Sequence, residues 1–328
     1  MIADFSIDKH FFTSKYLSDV SNSLLHDFIT EKWLEVGALV APKGSVCELM
    51  DLVKTLPPKF HQRWLYAIEY GKRREVESEW WNFESYETFD KLCSLNSFFK
   101  TAIAEEAVAL VLSGEDDTKR ICATTGFEVL GASVCSESTN FRMAADLSRA
   151  DIAPTESARD VWSARLKALA INSKNILIID RYFFESAHRK INRPLAEDSM
   201  RNFFIFLSQL DMKHNVKIIS YGDVKGSQFH SEIHGRFHDV VCRTPALKKA
   251  LSSLTLISAE EDFFKGDSHD RFIGFDRHVC QIGNGMRVLG GSPLPRSTFT
   301  AKFDRYNELR GRETACRSQT LWKEEMMV

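Results

Sequence analysis

The chain has 328 residues, 44% of them hydrophobic, and a formal net charge of −2; it can bury a large core, is long enough for about two domains, and offers no whole-chain attraction to nucleic acid, so any basic groove must be local. Its seven cysteines, at positions 47, 93, 122, 135, 242, 280 and 316, form no CxxC pair and no even framework, which argues for a reduced, cytoplasmic protein without structural zinc. The opening MIADFSIDKHFF is unlike a signal peptide, and no apolar run reaches membrane-spanning length.

Ile2 to Phe12 reads as a strand whose apolar run ends on Asp8, and Lys15 to Val36 as one helix with Leu17, Val20, Leu24, Leu25, Phe28 and Ile29 at helical spacing. A short strand, ALVAP, follows Gly37. The next helix opens GSVCELMDLVKTLP, carries Glu48 early and stops at Pro57 and Pro58. Between Trp64 and Glu87 a basic run, Lys72 to Arg74, stands near Trp80 and Trp81. Cations beside aromatics can track and stack single-stranded nucleic acid; an exposed helix end and two core tryptophans account for the same residues. Ala102 to Ser113 is expected to run a helix into a strand ending on Glu115, Asp116 and Asp117. Thr118 to Thr125 then reads as a helix closed by Gly126, and Phe127 to Val134 as another strand.

Alternating strands and helices with carboxylates at strand ends describe a parallel α/β sheet whose ligands meet at its carboxyl edge. Over residues 1–140 this order resembles a PIN-like nuclease domain. There the first strand ends on Asp, the helix after the second strand carries Glu, and a strand ending in S-x-D or T-x-D precedes a helix and a G-x-E-V strand. Asp8, Glu48, Asp116 and Asp117 fill those places, while the fourth carboxylate position holds Asn96, with Asp90 displaced from it. The resemblance implies that Asp8, Glu48, Asp116 and Asp117 are catalytic ligands of one or two Mg²⁺ or Mn²⁺ ions. Without such a site, Asp8 is a strand-end turn residue and Asp116 with Asp117 an N-cap.

Residues 141–172 are polar and helix-prone, with Pro154 at a break, and read as a helical connection. Residues 173–328 form the second half. Asn175 to Phe184 is a buried strand, Met200 to Leu210 an amphipathic helix, Val216 to Tyr221 a strand, His230 to Ser253 mostly helix and Leu254 to Ser258 a third strand, again implying a parallel sheet. His230, His234 and His238 share one helical face, which reads as solvated because the sequence identifies no carboxylate or cysteine partner.

Gly266 to Gly291 carries the densest chemistry. His269, Arg271 and Asp276 form H-x-R-x4-D, followed six residues later by Gly283, Asn284 and Gly285. Strand alternation puts His269 and Arg271 on one face, and Ile273, Phe275, Val279 and Ile282 read as a hairpin turning near Asp276 and Arg277. The pattern resembles a phospholipase D half-site in which arginine replaces lysine and asparagine replaces serine. More narrowly, HDRFIGFDRHVCQIGNGM resembles the MIT-associated C-terminal (MIT_C) domain, a phospholipase D-like fold. ILIIDRY, ending at Tyr182, and RNFFIF, from Arg201, match two further segments, so the likeness covers about residues 172 to 300. It implies His269 as nucleophile, Arg271 and Asn284 as phosphate-binding residues, and Asp276 and Asp180 in support. A catalytic site needs a second histidine. His188-x-Lys190 leads to Leu195, and His234-x-Arg236 to Val241, where aspartate is required. Either two copies of His269 meet in a homodimer or the site binds without cutting.

Together these features imply a two-domain α/β protein: a metal-dependent nuclease or nucleic-acid-processing effector with a phosphate-binding second half, in a role such as bacterial anti-phage defence. The alternatives are a non-catalytic adaptor that binds a protein or anionic partner through the HDR face, and a metal-independent phosphodiesterase using His269 in a homodimer.

Overall fold

The structure is a computed structural model that describes residues 1–114, 118–189, 198–265, 271–291, 294–326 and 328. The chain divides into two compact units, Met1–Asp146 and Leu147–Val328, and residues 141–172 are shared between them.

In the first unit, β1 (Ala3–Ile7), β2 (Gly37–Pro42), β3 (Lys72–Val76), β4 (Thr101–Ile103) and β5 (Glu128–Leu130) form a sheet ordered β3-β2-β1-β4-β5. Every pairing is parallel. β2 is buried throughout, as a central parallel strand under helices must be. Phe5 lies opposite Leu39 on one side and Thr101 on the other, and its ring meets Trp33 and Phe141 edge-on at 5.9 and 5.4 Å.

Several elements depart from the sequence reading: the strands expected at Ile2 to Phe12 and Phe127 to Val134 shorten to Ala3–Ile7 and Glu128–Leu130, each followed by a 3-10 turn, and three others change in kind. The first long helix is broken, because Asp19 accepts hydrogen bonds from the Ser21 backbone N–H and hydroxyl, stopping Lys15–Ser18 before Ser23–Val36 begins. Lys72–Val76, read as part of a basic tract, is an edge strand: the Lys72 carbonyl accepts from Trp33 Nε1 at 2.8 Å and Arg74 pairs with Asp4 at 3.1 Å. The order within 102–113 is reversed. The strand comes first, at Thr101–Ile103, and Glu106–Ser113 is a helix capped by the Glu105 side chain, which accepts the Ala107 N–H at 2.7 Å. Ala109 and Leu112 are buried while Leu110 and Val111 face outward, a helical rather than a strand period.

His26, buried in Ser23–Val36, accepts the Trp64 indole N–H on Nδ1 at 2.9 Å, which leaves Nε2–H to donate to the Leu17 carbonyl at 3.1 Å. Burial holds this ring neutral, pushing its pKa from 6.5 down to about 4.

In the second unit, β6 (Asn175–Ile179), β7 (His214–Ser220), β8 (Leu251–Ala259), β9 (Phe272–Phe275), β10 (His278–Ile282), β11 (Phe299–Phe303) and β12 (Thr320–Met326) form a sheet ordered β11-β10-β9-β6-β7-β8-β12. β6, β7 and β8 are parallel and the outer strands antiparallel, so the sheet is mixed rather than wholly parallel. The β9–β10 hairpin turns at Asp276 and Arg277, with Asp276 in the left-handed region at φ 51°. Ile179, Ile219, Phe263 and Phe272 belong to the core beneath it.

Candidate functional site

The first sheet reverses its winding between β1 and β4, and ligands of open α/β sheets gather at the carboxyl ends of the strands flanking such a reversal. Asp8 closes β1 there. Its N–H bonds the Ile103 carbonyl at 2.8 Å, tying it to the end of β4, and its side chain is fully buried. Oδ1 accepts the His10 N–H at 3.2 Å, whereas Oδ2 has no hydrogen-bond partner among the described residues. Desolvation raises the pKa of Asp8 above its ordinary value, against the weaker pull of His10 and of the Phe83 and Glu105 backbone N–H groups, which lie near the carboxyl without closing a hydrogen bond to Oδ2.

Glu48 stands in the first turn of Ser45–Val53, exposed, and lines a cavity of about 460 Å³ with Lys9, Lys43, Trp81 and Asn82. Asp8 does not line that cavity, although its neighbour Lys9 does. The tryptophan pair is split. Trp80 is buried, its Nε1 bonded to Ser6 Oγ at 3.0 Å, and Trp81 is half-buried; both line the cavity. Asp116 and Asp117 lie outside the described residues, but they follow the helix Glu106–Ser113, so the expected strand end in front of them is absent. The carboxylate that does follow a strand is Glu105. Sequence reasoning missed it because the pattern placed the strand too late. Asp90 is exposed in the first turn of Phe89–Cys93, and Asn96 lies against Cys93.

The buried, unpartnered Oδ2 of Asp8 fits a metal ligand, yet among the described residues no group of three His, Cys, Asp or Glu side chains converges to complete such a site.

Asp180 closes β6 in the second unit. Oδ1 accepts the Tyr182 N–H at 3.0 Å and Oδ2 the Met286 N–H at 2.9 Å, and Arg271 Nε lies 3.7 Å from Oδ1. The same guanidinium donates to the Gly283 carbonyl and sits 5.1 Å over the Tyr182 ring. Gly285 makes the approach feasible: at φ 57°, a Cβ there would lie 2.1 Å from Asp180 Oδ2 and 2.5 Å from Arg271 Cδ. Burial raises the pKa of Asp180, and its hydrogen bonds from Met286 and Tyr182 and the charge of Arg271 oppose that.

The structure therefore brings Asp180, Arg271 and the 283–285 turn together, while His269 lies outside the described residues. Asn284 turns away, its Nδ2 donating to the Pro295 carbonyl at 3.1 Å. Asp276 sits at the far end of β9 and accepts the Lys174 and Asn175 N–H groups at 2.9 and 3.1 Å, so its work is to bind the hairpin to the start of β6. Neither alternative histidine supplies a second half-site among the described residues. His188 pairs with Glu232; Lys190 and Leu195 are not described. His234 and Arg236 are on a helix, with Arg236 paired to buried Asp198. The histidine face does find a carboxylate: Glu324 of β12 lies 3.1 Å from His230 Nε2 and 3.5 Å from His234 Nε2.

Both units are thus α/β layers with a buried aspartate at the end of the first strand. No protein-family model and no curated protein matches the chain. Among the described residues no helix is long and apolar enough to cross a membrane.

Proposed function

We propose that the chain is a metal-dependent phosphodiesterase acting on single-stranded nucleic acid, with Asp8 at the centre of its site in the first unit and Arg271 as a phosphate-binding residue in the second. The observation that carries this reading is the buried Oδ2 of Asp8 without a donor, beside the point where the sheet reverses. A divalent ion held by Asp8 would supply an activated water and neutralise the departing oxygen. Asp8 holds that ion, with Glu48 and Glu105 as the carboxylates that follow β2 and β4 at the same edge; Asp116 and Asp117 lie outside the described residues. Lys9 and Lys43 of the cavity hold phosphate, and Trp81 gives a face for a base to stack on.

Cleavage of single-stranded RNA and DNA oligonucleotides with and without EDTA, by wild type and Asp8→Asn, tests the proposal, together with Mn²⁺ binding followed by calorimetry. Expected are cleavage lost with EDTA and in the variant, and Mn²⁺ heat lost in the variant. Metal-independent cleavage that Asp8→Asn leaves intact would sink it. The internal engagement of Arg271 favours binding over catalysis in the second unit, so His269→Ala is expected to leave metal-dependent cleavage intact. Loss of a metal-independent activity in that variant would instead promote the homodimer phosphodiesterase.

A further inference from the structure

The opposite end of the second sheet carries a feature that neither strand-end aspartate accounts for. A cavity of about 670 Å³ lies over the starts of β6 and β7, walled by the helix Glu308–Cys316. Asn175 and Asp180 bracket β6, so this cavity is roughly 16 Å along the strand from the Arg271 cluster. The volume falls within the range of about 300–1,000 Å³ typical of small-molecule sites.

Its charge is unbalanced in a specific way. Each carboxylate lining it has a partner. Asp276 accepts two backbone N–H groups; Asp304 accepts those of Glu308 and Leu309 at 2.8 and 3.0 Å; Glu313 pairs with Lys217; Glu325 pairs with Lys323 at 2.8 Å. Arg310 and Arg317 are exposed, and among the described residues neither guanidinium has an ion pair or hydrogen bond. Arg310 lies on the helix and Arg317, seven residues on, caps its C-terminus with helical backbone, about 10 Å further along the axis. Guanidinium forks suit phosphate oxygens bidentately.

The floor is ordered and polar. Ser253 Oγ donates to Asn215 Oδ1 at 3.0 Å, Asn215 Nδ2 to Asn175 Oδ1 at 3.0 Å, and Asn175 Nδ2 to Asp276 Oδ1 at 2.8 Å. Each amide keeps one N–H free of this chain, a fixed donor for the edge of a polar ring.

We propose that this cavity binds a nucleoside di- or triphosphate, with Arg310 and Arg317 on its phosphates and the asparagine row against its base or ribose. The site is independent of the reading of Asp8. Calorimetry on the full chain in EDTA, which removes metal-dependent binding at the first unit, compares ADP, ATP, adenosine and pyrophosphate. The double variant Arg310→Glu with Arg317→Glu tests the forks, and Arg243→Glu, on an exposed arginine outside the cavity, is the control. Expected is binding of ADP or ATP at least tenfold tighter than of pyrophosphate or adenosine, weakened at least tenfold in the double variant and unchanged in the control. No nucleotide binding by wild type, binding indifferent to the double variant, or pyrophosphate binding as tightly as ADP would each overturn the assignment.

Discussion

Asp8 and Asp180 hold matching places, each closing the first parallel strand of its unit and each buried, with a carboxyl pKa raised by desolvation. They differ in what meets the charge. Asp180 has a donor on both oxygens and a guanidinium beside it, whereas Asp8 has an oxygen that nothing in the described chain satisfies. A buried carboxylate with complete partners fixes structure; one left incomplete is held at a cost and gains when a cation arrives. The difference separates a lock from a candidate ligand even though the two residues look alike in the sequence.

The largest effect is expected at the lock. Asp180→Ala leaves the Tyr182 and Met286 N–H groups without their acceptor and removes the counter-charge of part-exposed Arg271; two orphaned buried donors at roughly 1–3 kcal/mol each make the largest loss, to be read from urea denaturation of the second unit's transition. If Asp180→Ala costs no more than Asp8→Ala, the contrast is broken.

Measuring that contrast requires control of pH. His26 has its folded pKa pushed from 6.5 to about 4, so its contribution is present above pH 6.5 and is lost as pH falls through that window, by about 3 kcal/mol in all. A denaturation series from pH 7.5 to 4 should show the loss, and His26→Gln should flatten it.

A smaller loss, about 2 kcal/mol from backbone strain and displaced contacts, is expected for Gly285→Ala, because the added methyl meets Asp180 and Arg271 at a positive φ. Wild-type stability in this variant would show that the turn yields easily and that Asp180 is less tightly held than its bonds imply.

The smallest change in stability should come from Asp8→Asn. A carboxyl with a raised folded pKa contributes stability while protonated, below its unfolded pKa, and that contribution is lost as pH rises through the folded value. At neutral pH without metal the amide variant should therefore melt at or slightly above wild type. Thermal scans with Mn²⁺ should then raise wild type alone. A clear drop for Asp8→Asn in EDTA would place Asp8 beside Asp180 as a structural residue.

Part of this contrast is within reach of pattern reading: an apolar run ending on aspartate marks Asp8 as a strand end, whereas Asp180 comes only from the resemblance, because the strand reads as Asn175 to Phe184 and β6 stops at Ile179. The hairpin at Asp276 was equally legible, from alternating Ile273, Phe275 and Val279 around a two-residue turn. What escaped depended on contacts distant in sequence. Gly285 and Asp180 are brought together only by folding, and a glycine turn does not announce which carboxylate it admits. Glu105 was missed because Ala-, Leu- and Val-rich residues after Ile103 have apolar character suited to either element, and helical burial decides it. β3 and β12 were missed because Lys72–Val76 and Thr320–Met326 lack a clean apolar alternation.

That irregularity has a consequence of its own. β3 and β12 are the outermost strands on one side of their sheets, where unpaired backbone groups invite a further chain to add itself. Lys72, Arg73, Arg74 and Glu75 occupy one such border, and Lys323, Glu324 and Glu325 the other. A strand laid alongside either of these borders would have to match this run of mixed charges, which disfavours pairing with the apolar segments of unfolded neighbours.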